Sequence, residues 1–390
     1  MRLRLLLLAL WVCAVPARGQ QQAVVVGAVL PLSGQLADIA ADYRKALLLW
    51  QEEANAAGGL LGRHVELRLL DDQSDSAADG GLYGRLIEEY HATLLLGPLG
   101  SAASLGAAAA AERARRVLVN ATGASGAVTK AEYRYVFQVP APLASYGLGP
   151  LELARELGVR HVLVLGRDDP VSREMAKATR EAALKQGFAV GEPEAYGRDN
   201  EDFAPQILRA RKAGAEAWIA FGLARDAAGM VKSFRRAKYA PRLFVAQGAA
   251  DPEFIKLVGQ DAEYAIGISA YERAAATPGN ARFVQAFGKR WSAEPNGLAA
   301  DGYAAGKVLE AAVGSAGSFD QEKLRVALAA LETGTPLGPY KVDRDGAQVG
   351  TRPLLVQIDR GRREIILPEA LATARPRLPY PAWSERKPIR

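Results

Sequence analysis

Cysteine is nearly missing from this chain: among 390 residues there is one, Cys13. It lies in an apolar start that reads as a leader. The mature chain is therefore expected to hold no disulfide and no thiolate metal site, and to depend on core packing in any redox compartment. Histidine is equally scarce. His64, His91 and His161 all fall beside expected strands or helix ends, so a structural role is expected for each rather than general-base chemistry. No Gly-x-Gly-x-x-Gly follows a strand and no phosphate loop ending in Gly-Lys-Ser/Thr occurs, which argues against a dehydrogenase or a nucleotidase. Gly123-Ala-Ser-Gly126 lacks the spacing of a nucleophile elbow, which argues against an exported hydrolase. Asp71, Asp72, Asp75 and Asp79 lack the spacing of a calcium loop and read as a solvated strand end with a cap. Lys and Arg total 49 against 43 Asp and Glu, a formal charge of +6. Without Arg2, Arg4 and Arg18 of the leader it falls to +3. That charge, with no dense basic stripe, gives no reason to expect nucleic acid.

What is present begins with Met1-Arg-Leu-Arg4, an apolar stretch over 5–15, and Ala17-Arg18-Gly19. A basic start, a short apolar core and small residues make a secretory signal over 1–19, cleaved before Gln20. The stretch is too short for an ordinary membrane span, and no later one is longer. Lipoprotein processing at Cys13 is disfavoured by the bulk of Trp11 and Val12. The expectation is a soluble protein exported to the periplasm.

From Val24 onward, apolar strands alternate with amphipathic helices across short polar or Gly-rich joints. Strands are expected at 24–31, 65–70, 94–96 and 117–120, with helices at 42–57, 80–90 and 102–114. This is the rhythm of an open, doubly wound parallel sheet. It pauses at Val136-Phe-Gln-Val-Pro-Ala-Pro142, which reads as an extended crossing. It then resumes with strands at 161–165, 217–221, 243–246 and 265–270. Helices at 280–291, 301–312 and 320–331 follow, and 338–343 with 354–358 close the pattern. The Pro- and Arg-rich tail from Glu369 reads as a strap or a loose end. The chain is long enough for two lobes, and the halves repeat one architecture, which implies a ligand cleft at the strands' carboxyl ends.

The stretch Leu94 to Gly106 organises this reading. Leu94–Leu96 suits a strand buried on both faces. Gly97, Pro98 and Gly100 end it, and Ser101 and Ser104 stand where a helix is expected to start. Free N–H groups of Gly100, Ser101 and Ala102, with the Ser101 hydroxyl, would seat a carboxylate. A plain turn with an N-cap is the other reading of the same residues.

Five motifs recur in order: Val29-Leu-Pro-Leu-Ser-Gly34, Asn55-Ala-Ala-Gly-Gly-Leu-Leu-Gly-Arg63, Asp71-Asp-Gln-Ser-Asp75, Gly97-Pro-Leu-Gly-Ser101 and Gly338-Pro-Tyr-Lys-Val-Asp343. Together, over about 24–368, they resemble the leucine/isoleucine/valine-binding protein family of ABC importers. The resemblance implies a type I periplasmic binding protein: two parallel-sheet lobes, crossings near Pro140, Tyr271 and Leu337, and no cofactor or metal. Lobe 1 would take 20–140 and 272–337, and lobe 2 would take 141–271 and 338–368. Ser101 matches the family's carboxylate-binding Ser, with backbone of Gly100, Ala102 and Gly123 beside it. The family's next Thr falls near Ala124 or Ser125. Its pocket tyrosines align near Val171 and near Leu223 or Ala224, and its ammonium-binding Glu aligns with Gln247. Tyr271, at a crossing, is read either as stacking on ligand or as packing the hinge. A charge-assisted hydrogen bond is worth about 1.5–3 kcal/mol and a neutral one roughly 1, so Glu-to-Gln costs an amino acid about tenfold in affinity. The expected ligand is a small carboxylate or a neutral amide, with branched-chain amino acids less favoured; Asp226 or Glu272 is the alternative source of charge. The implied partners are an ABC permease and its ATPase, with the binding protein itself a monomer. A ligand-binding component of a sensing system is the alternative role.

Overall fold

The computed structural model describes residues 22–129 and 132–386. The leader and Cys13 lie outside them.

The first half runs β1 (Val24–Leu30), α1 (Ala37–Ala56), β2 (Val65–Asp71), α2 (Asp79–Glu88), β3 (Leu94–Leu96), α3 (Gly100–Ala114), β4 (Leu118–Asn120) and β5 (Val136–Gln138). Its five strands form one parallel sheet in the order β2-β1-β3-β4-β5. Every residue of β3, β4 and β5 is buried, because helices cover both faces of the sheet. The segment 136–138, expected as an extended crossing, is instead the edge strand β5, paired in register with β4 from Leu118–Val136 to Asn120–Gln138. The Pro-rich passage that suggested a crossing begins only after it.

The second half runs α4 (Leu148–Glu156), β6 (His161–Arg167), α5 (Pro170–Lys185), β7 (Ala189–Val190), β8 (Glu194–Tyr196), α6 (Ala204–Ala213), β9 (Ala217–Phe221), α7 (Ala224–Ala237), β10 (Leu243–Ala246), α8 (Pro252–Val258) and β11 (Ile266–Ser269). Helices α9 (Asn280–Trp291), α10 (Gly297–Ala316) and α11 (Gln321–Ala330) follow. They pack back on the first sheet: Phe283, Phe287, Val308, Leu309 and Leu324 share a core with Val26 and Leu96. Helix α10 lies unusually near α1. A Cβ on Gly302 would stand 2.5 Å from the Tyr43 ring, and one on Gly306 would stand 2.4 Å from Trp50.

Two hairpins end the pattern. The strands β12 (Thr333–Thr335) and β13 (Gly338–Tyr340) pair with each other. The strands β14 (Leu354–Asp359) and β15 (Arg362–Leu367) extend the second sheet antiparallel, beside β11. That sheet is ordered β15-β14-β11-β10-β9-β6-β7, with β8 also on β6. So it is mixed at one edge, where the parallel expectation covered only β6 to β11. Residues from 338 were expected to join the second lobe. Tyr340 and Val342 instead pack in the first core, and Gln348 Nε2 donates to Val139 O at 3.1 Å. The tail is a strap through Arg386. Arg377 N–H donates to Gln357 Oε1 at 2.7 Å, Tyr380 is buried against Phe244, and Trp383 Nε1 donates to Tyr239 O at 2.8 Å.

Candidate functional site

A cavity of about 540 Å³ opens at the carboxyl ends of β9, β10 and β11. Open α/β sheets place ligands at this edge. Its wall comes from several elements. The turn Gly222–Leu223 leads from β9 into α7. The 3-10 turn Gln247–Ala250 follows β10. The passage 269–273 leaves β11, and the start of α10 at Asn296 and Gly297 closes the side from the first core. Asn296 caps that helix, its Oδ1 accepting from Ala299 N–H at 3.0 Å. Gly248 is required where the first two turns meet, since a Cβ there would lie 2.1 Å from the Leu223 carbonyl.

Of the eight residues singled out from sequence, Leu223, Gln247 and Tyr271 line this cavity. Leu223 is 56% exposed, so its side chain offers an uncovered apolar surface. Tyr271 is buried; its hydroxyl donates to Asn280 Oδ1 at 2.8 Å and its ring meets Phe283 edge-on. The ring therefore packs the passage between sheets and also forms cavity wall.

Gly100, Ser101, Ala102, Gly123 and Ser125 are not part of the cavity wall. They form a closed polar cluster at the first sheet's edge. The cap of α3 is Leu99, with no side-chain cap bond, and Ser101 is already inside the helix. This corrects the expectation of a Ser-capped start. Gly100, at φ +84°, gives its N–H to Thr122 Oγ1 at 2.6 Å. The positive φ is what lets the strand turn straight into the helix. Ser104 Oγ lies 2.8 Å from Gly100 O and 3.0 Å from Asn120 Oδ1. Asn120 Nδ2 donates to Gly123 O at 2.7 Å. Ser101 Oγ accepts from Ser125 N–H at 3.2 Å. The Ser125 hydroxyl donates to Glu174 Oε2 at 2.6 Å, and Gly126 N–H donates to Glu174 Oε1 at 2.9 Å.

Two carboxylates were alternatives for the missing charge at Gln247. Asp226 is used inside the fold: its Oδ2 accepts from Leu223 N–H at 2.8 Å and from Tyr196 Oη at 3.4 Å. Burial raises its pKa, against the opposing pull of those bonds and of Arg167. Glu272 does line the cavity. It is 6% exposed, its Oε2 pairs with Arg363 Nη2 at 2.9 Å, and its Oε1 has no partner among the described residues. Burial raises the Glu272 pKa, and Arg363, a hydrogen bond with Ser269, and Arg273 oppose the rise. Arg363 also donates through Nη1 to Ala250 O at 2.6 Å, so its fork is held in place. Glu174 had no sequence signal at all: it is an ordinary polar residue in mid-helix, and only the meeting of α5 with the turn after β4 singles it out.

A layered pair of α/β sheets, linked by extended passages and with a cavity at the strand ends, is the architecture of a solute-binding protein. The chain belongs to the periplasmic binding protein family, whose model matches residues 23–363. An amino acid binding protein of Pseudomonas aeruginosa is 24% identical over 326 residues, covering 83% of this chain and 87% of that one. Among solved structures, a leucine-binding protein from Thermotoga maritima superposes with a TM-score of 0.71 at 24% identity, covering 88% of this chain and 97% of that one. A solute-binding protein of an ABC transporter from R. palustris, in complex with benzoate, superposes at 0.69 with 20% identity, covering 92% and 97%. The last two likenesses are of fold.

Proposed function

We propose that this chain is the extracytoplasmic binding component of an ABC importer. It takes a small amino-acid-, carboxylate- or amide-type ligand into the cleft between its two sheets and passes it unaltered to a membrane permease with its ATPase. The observation that carries this reading is the 540 Å³ cavity, walled by turns of the second sheet on one side and by the start of α10 on the other. Leu223, Gln247 and Tyr271 are its ligand-facing residues on this reading. Among the described residues no helix is long and apolar enough to cross a membrane, and the leader 1–19 supplies export. We divide the lobes as 22–140 with 272–350 and 141–271 with 351–386. The third crossing moves from Leu337 to about Gly350 because Tyr340 and Val342 pack in the first core. Closure of these lobes about three passages is the motion that traps ligand.

The test is a thermal-shift screen of amino acids, aromatic acids and amides, followed by small-angle scattering of each hit. A ligand bound only by the folded protein raises its melting temperature, and a cleft that shuts lowers the radius of gyration. Both changes are expected with the same compound. A screen with no compound that both stabilises and compacts the monomer would sink the reading.

A further inference from the structure

We propose that a second pocket, walled by two of the passages between the sheets and by the turn after β15, is a binding site for a neutral apolar ring compound, separate from the cavity described above.

The pocket has a volume of about 380 Å³, within the range that holds a small ligand. Four short segments enclose it: 276–278 on the passage from β11 to α9, 338–339 of β13, 349–352 on the way into β14, and Pro368 with 370–371 after β15. Ties between neighbouring segments hold the wall in shape. Thr277 Oγ1 donates to Pro336 O at 2.6 Å, and Thr351 Oγ1 donates to Leu337 O at 3.0 Å. The passage and the β12–β13 hairpin touch directly, since a Cβ on Gly334 would stand 2.4 Å from Pro278.

The lining selects the occupant. Three arginines and four carboxylates line the first cavity. Among the described residues, the ionisable side chain lining the second is Arg352, whose Nη1 pairs with Glu152 Oε2 at 2.8 Å. The hydroxyls in its wall are those of Thr277 and Thr351, both already engaged by carbonyl groups. What remains is the rings of Pro278, Pro339 and Pro368, with Val349 and Leu371. A charged or hydrogen-bonding group buried there loses its hydration and finds no free side-chain partner. An apolar ring gains by leaving water. A peptide segment of a partner protein is disfavoured on the same ground. It carries an amide at every residue, and the three prolines offer it no N–H. Val349 is 54% exposed, and uncovered apolar surface of this kind marks ligand grooves. On the division of lobes given above, 276–278, 338–339 and 349–350 belong to one body and the remaining wall to the other, so a compound seated here touches both. The site itself does not depend on the role proposed for the first cavity.

The experiment is a fluorescence titration of the mature chain with N-phenyl-1-naphthylamine, which is neutral, and with 8-anilinonaphthalene-1-sulfonate, the same skeleton carrying a negative charge. Wild type is expected to bind the neutral probe at one saturable site, at least tenfold tighter than the sulfonate. Val349→Asp sets a charge in the wall and should weaken the neutral probe at least tenfold. Ala370→Trp fills the pocket with a side chain and should do the same. Leu223→Ala, in the first cavity, should change that affinity less than twofold. Residues 349 and 370 are both exposed, so both variants are expected to fold, and an unchanged melting temperature checks this. The wild-type comparison needs no variant. No binding of the neutral probe, or binding of the sulfonate as tight, overturns the inference. So does a folded Val349→Asp or Ala370→Trp with unchanged affinity, or a tenfold loss in Leu223→Ala. Each of these results leaves the role of the first cavity standing, because the thermal-shift screen tests that role separately.

Discussion

The strand-end turns of the two sheets are built from similar residues and put to opposite uses. After β3 and β4, the polar groups of Gly100, Ser101, Ser104, Asn120, Gly123 and Ser125 are bonded to one another or to Glu174. After β9, β10 and β11, the turns leave a cavity open, with Gln247 on its wall and an oxygen of Glu272 unpaired. A polar group already satisfied inside the fold is a structural group. One left unsatisfied at a cavity is available to a ligand. On the binding role proposed above, the first of these edges holds shape and the second reads the ligand.

Three measurements can break or sharpen that division. The largest effect belongs to the closed cluster. Asn120 is fully buried and its side chain serves Gly123 N–H, Gly123 O and Ser104. Asn120→Ala leaves buried groups unpaired and should cost about 3 kcal/mol in chemical denaturation, since each such group costs about 1–3 kcal/mol. Affinity for any bound ligand should move less than twofold once the protein is folded. A large loss of affinity at unchanged stability would reverse the roles assigned to the two edges.

Gln247→Ala probes the other side. It removes about one hydrogen bond to ligand, an expected five- to tenfold loss of affinity at roughly 1 kcal/mol, with the apo melting temperature unmoved. Unaltered affinity in calorimetry would take Gln247 out of the binding wall.

The third measurement is a pH dependence on the first-sheet side. Asp79 is fully buried at the start of α2, and both its carboxylate oxygens lack partners among the described residues. Burial, reinforced by Asp72 and Asp75, pushes its pKa up to about 7. The unfolded chain releases this proton near pH 4 and the native chain near 7. Across that window the native state holds the extra proton, so stability falls as pH rises. Above 7 the loss is complete and the curve flattens. Asp79→Asn removes the ionisation and should leave a flatter profile of melting temperature from pH 4 to 7, with a higher value than wild type at pH 8. Parallel profiles for the two proteins would show that Asp79 does not titrate this way.

How far the sequence carried the reading varied from element to element, for physical reasons. Ala217–Phe221 and Leu243–Ala246 are continuous apolar runs between polar ends, and the strands have those bounds. Asn280–Trp291 carries a strong apolar stripe and also kept its bounds. Residues 136–138 were misread because the neighbouring prolines, which disfavour strand interiors, stand just outside a three-residue edge strand. Helix α8 went unread although its signal was present: Asp251 caps it through Glu253 N–H, and Pro252 holds its first position. Gln247 and Leu223 were singled out through the family resemblance, whose pocket positions align there, and Tyr271 because it sits at a crossing.

What the chain determines by its sequence alone is the alternation of strand and helix and the doubly wound sheets that follow from it, since period and strand-end turns are local properties. Which serine hydroxyls remain free is not local. Ser101 and Ser125 have the right identity and the right turn. A helix from the other half, carrying Glu174, decides what Ser125 bonds to, and strand β15, carrying Arg363, decides which oxygen of Glu272 stays unpaired. Hydrogen-bond satisfaction depends on every group within about 3 Å, and only tertiary packing sets that neighbourhood.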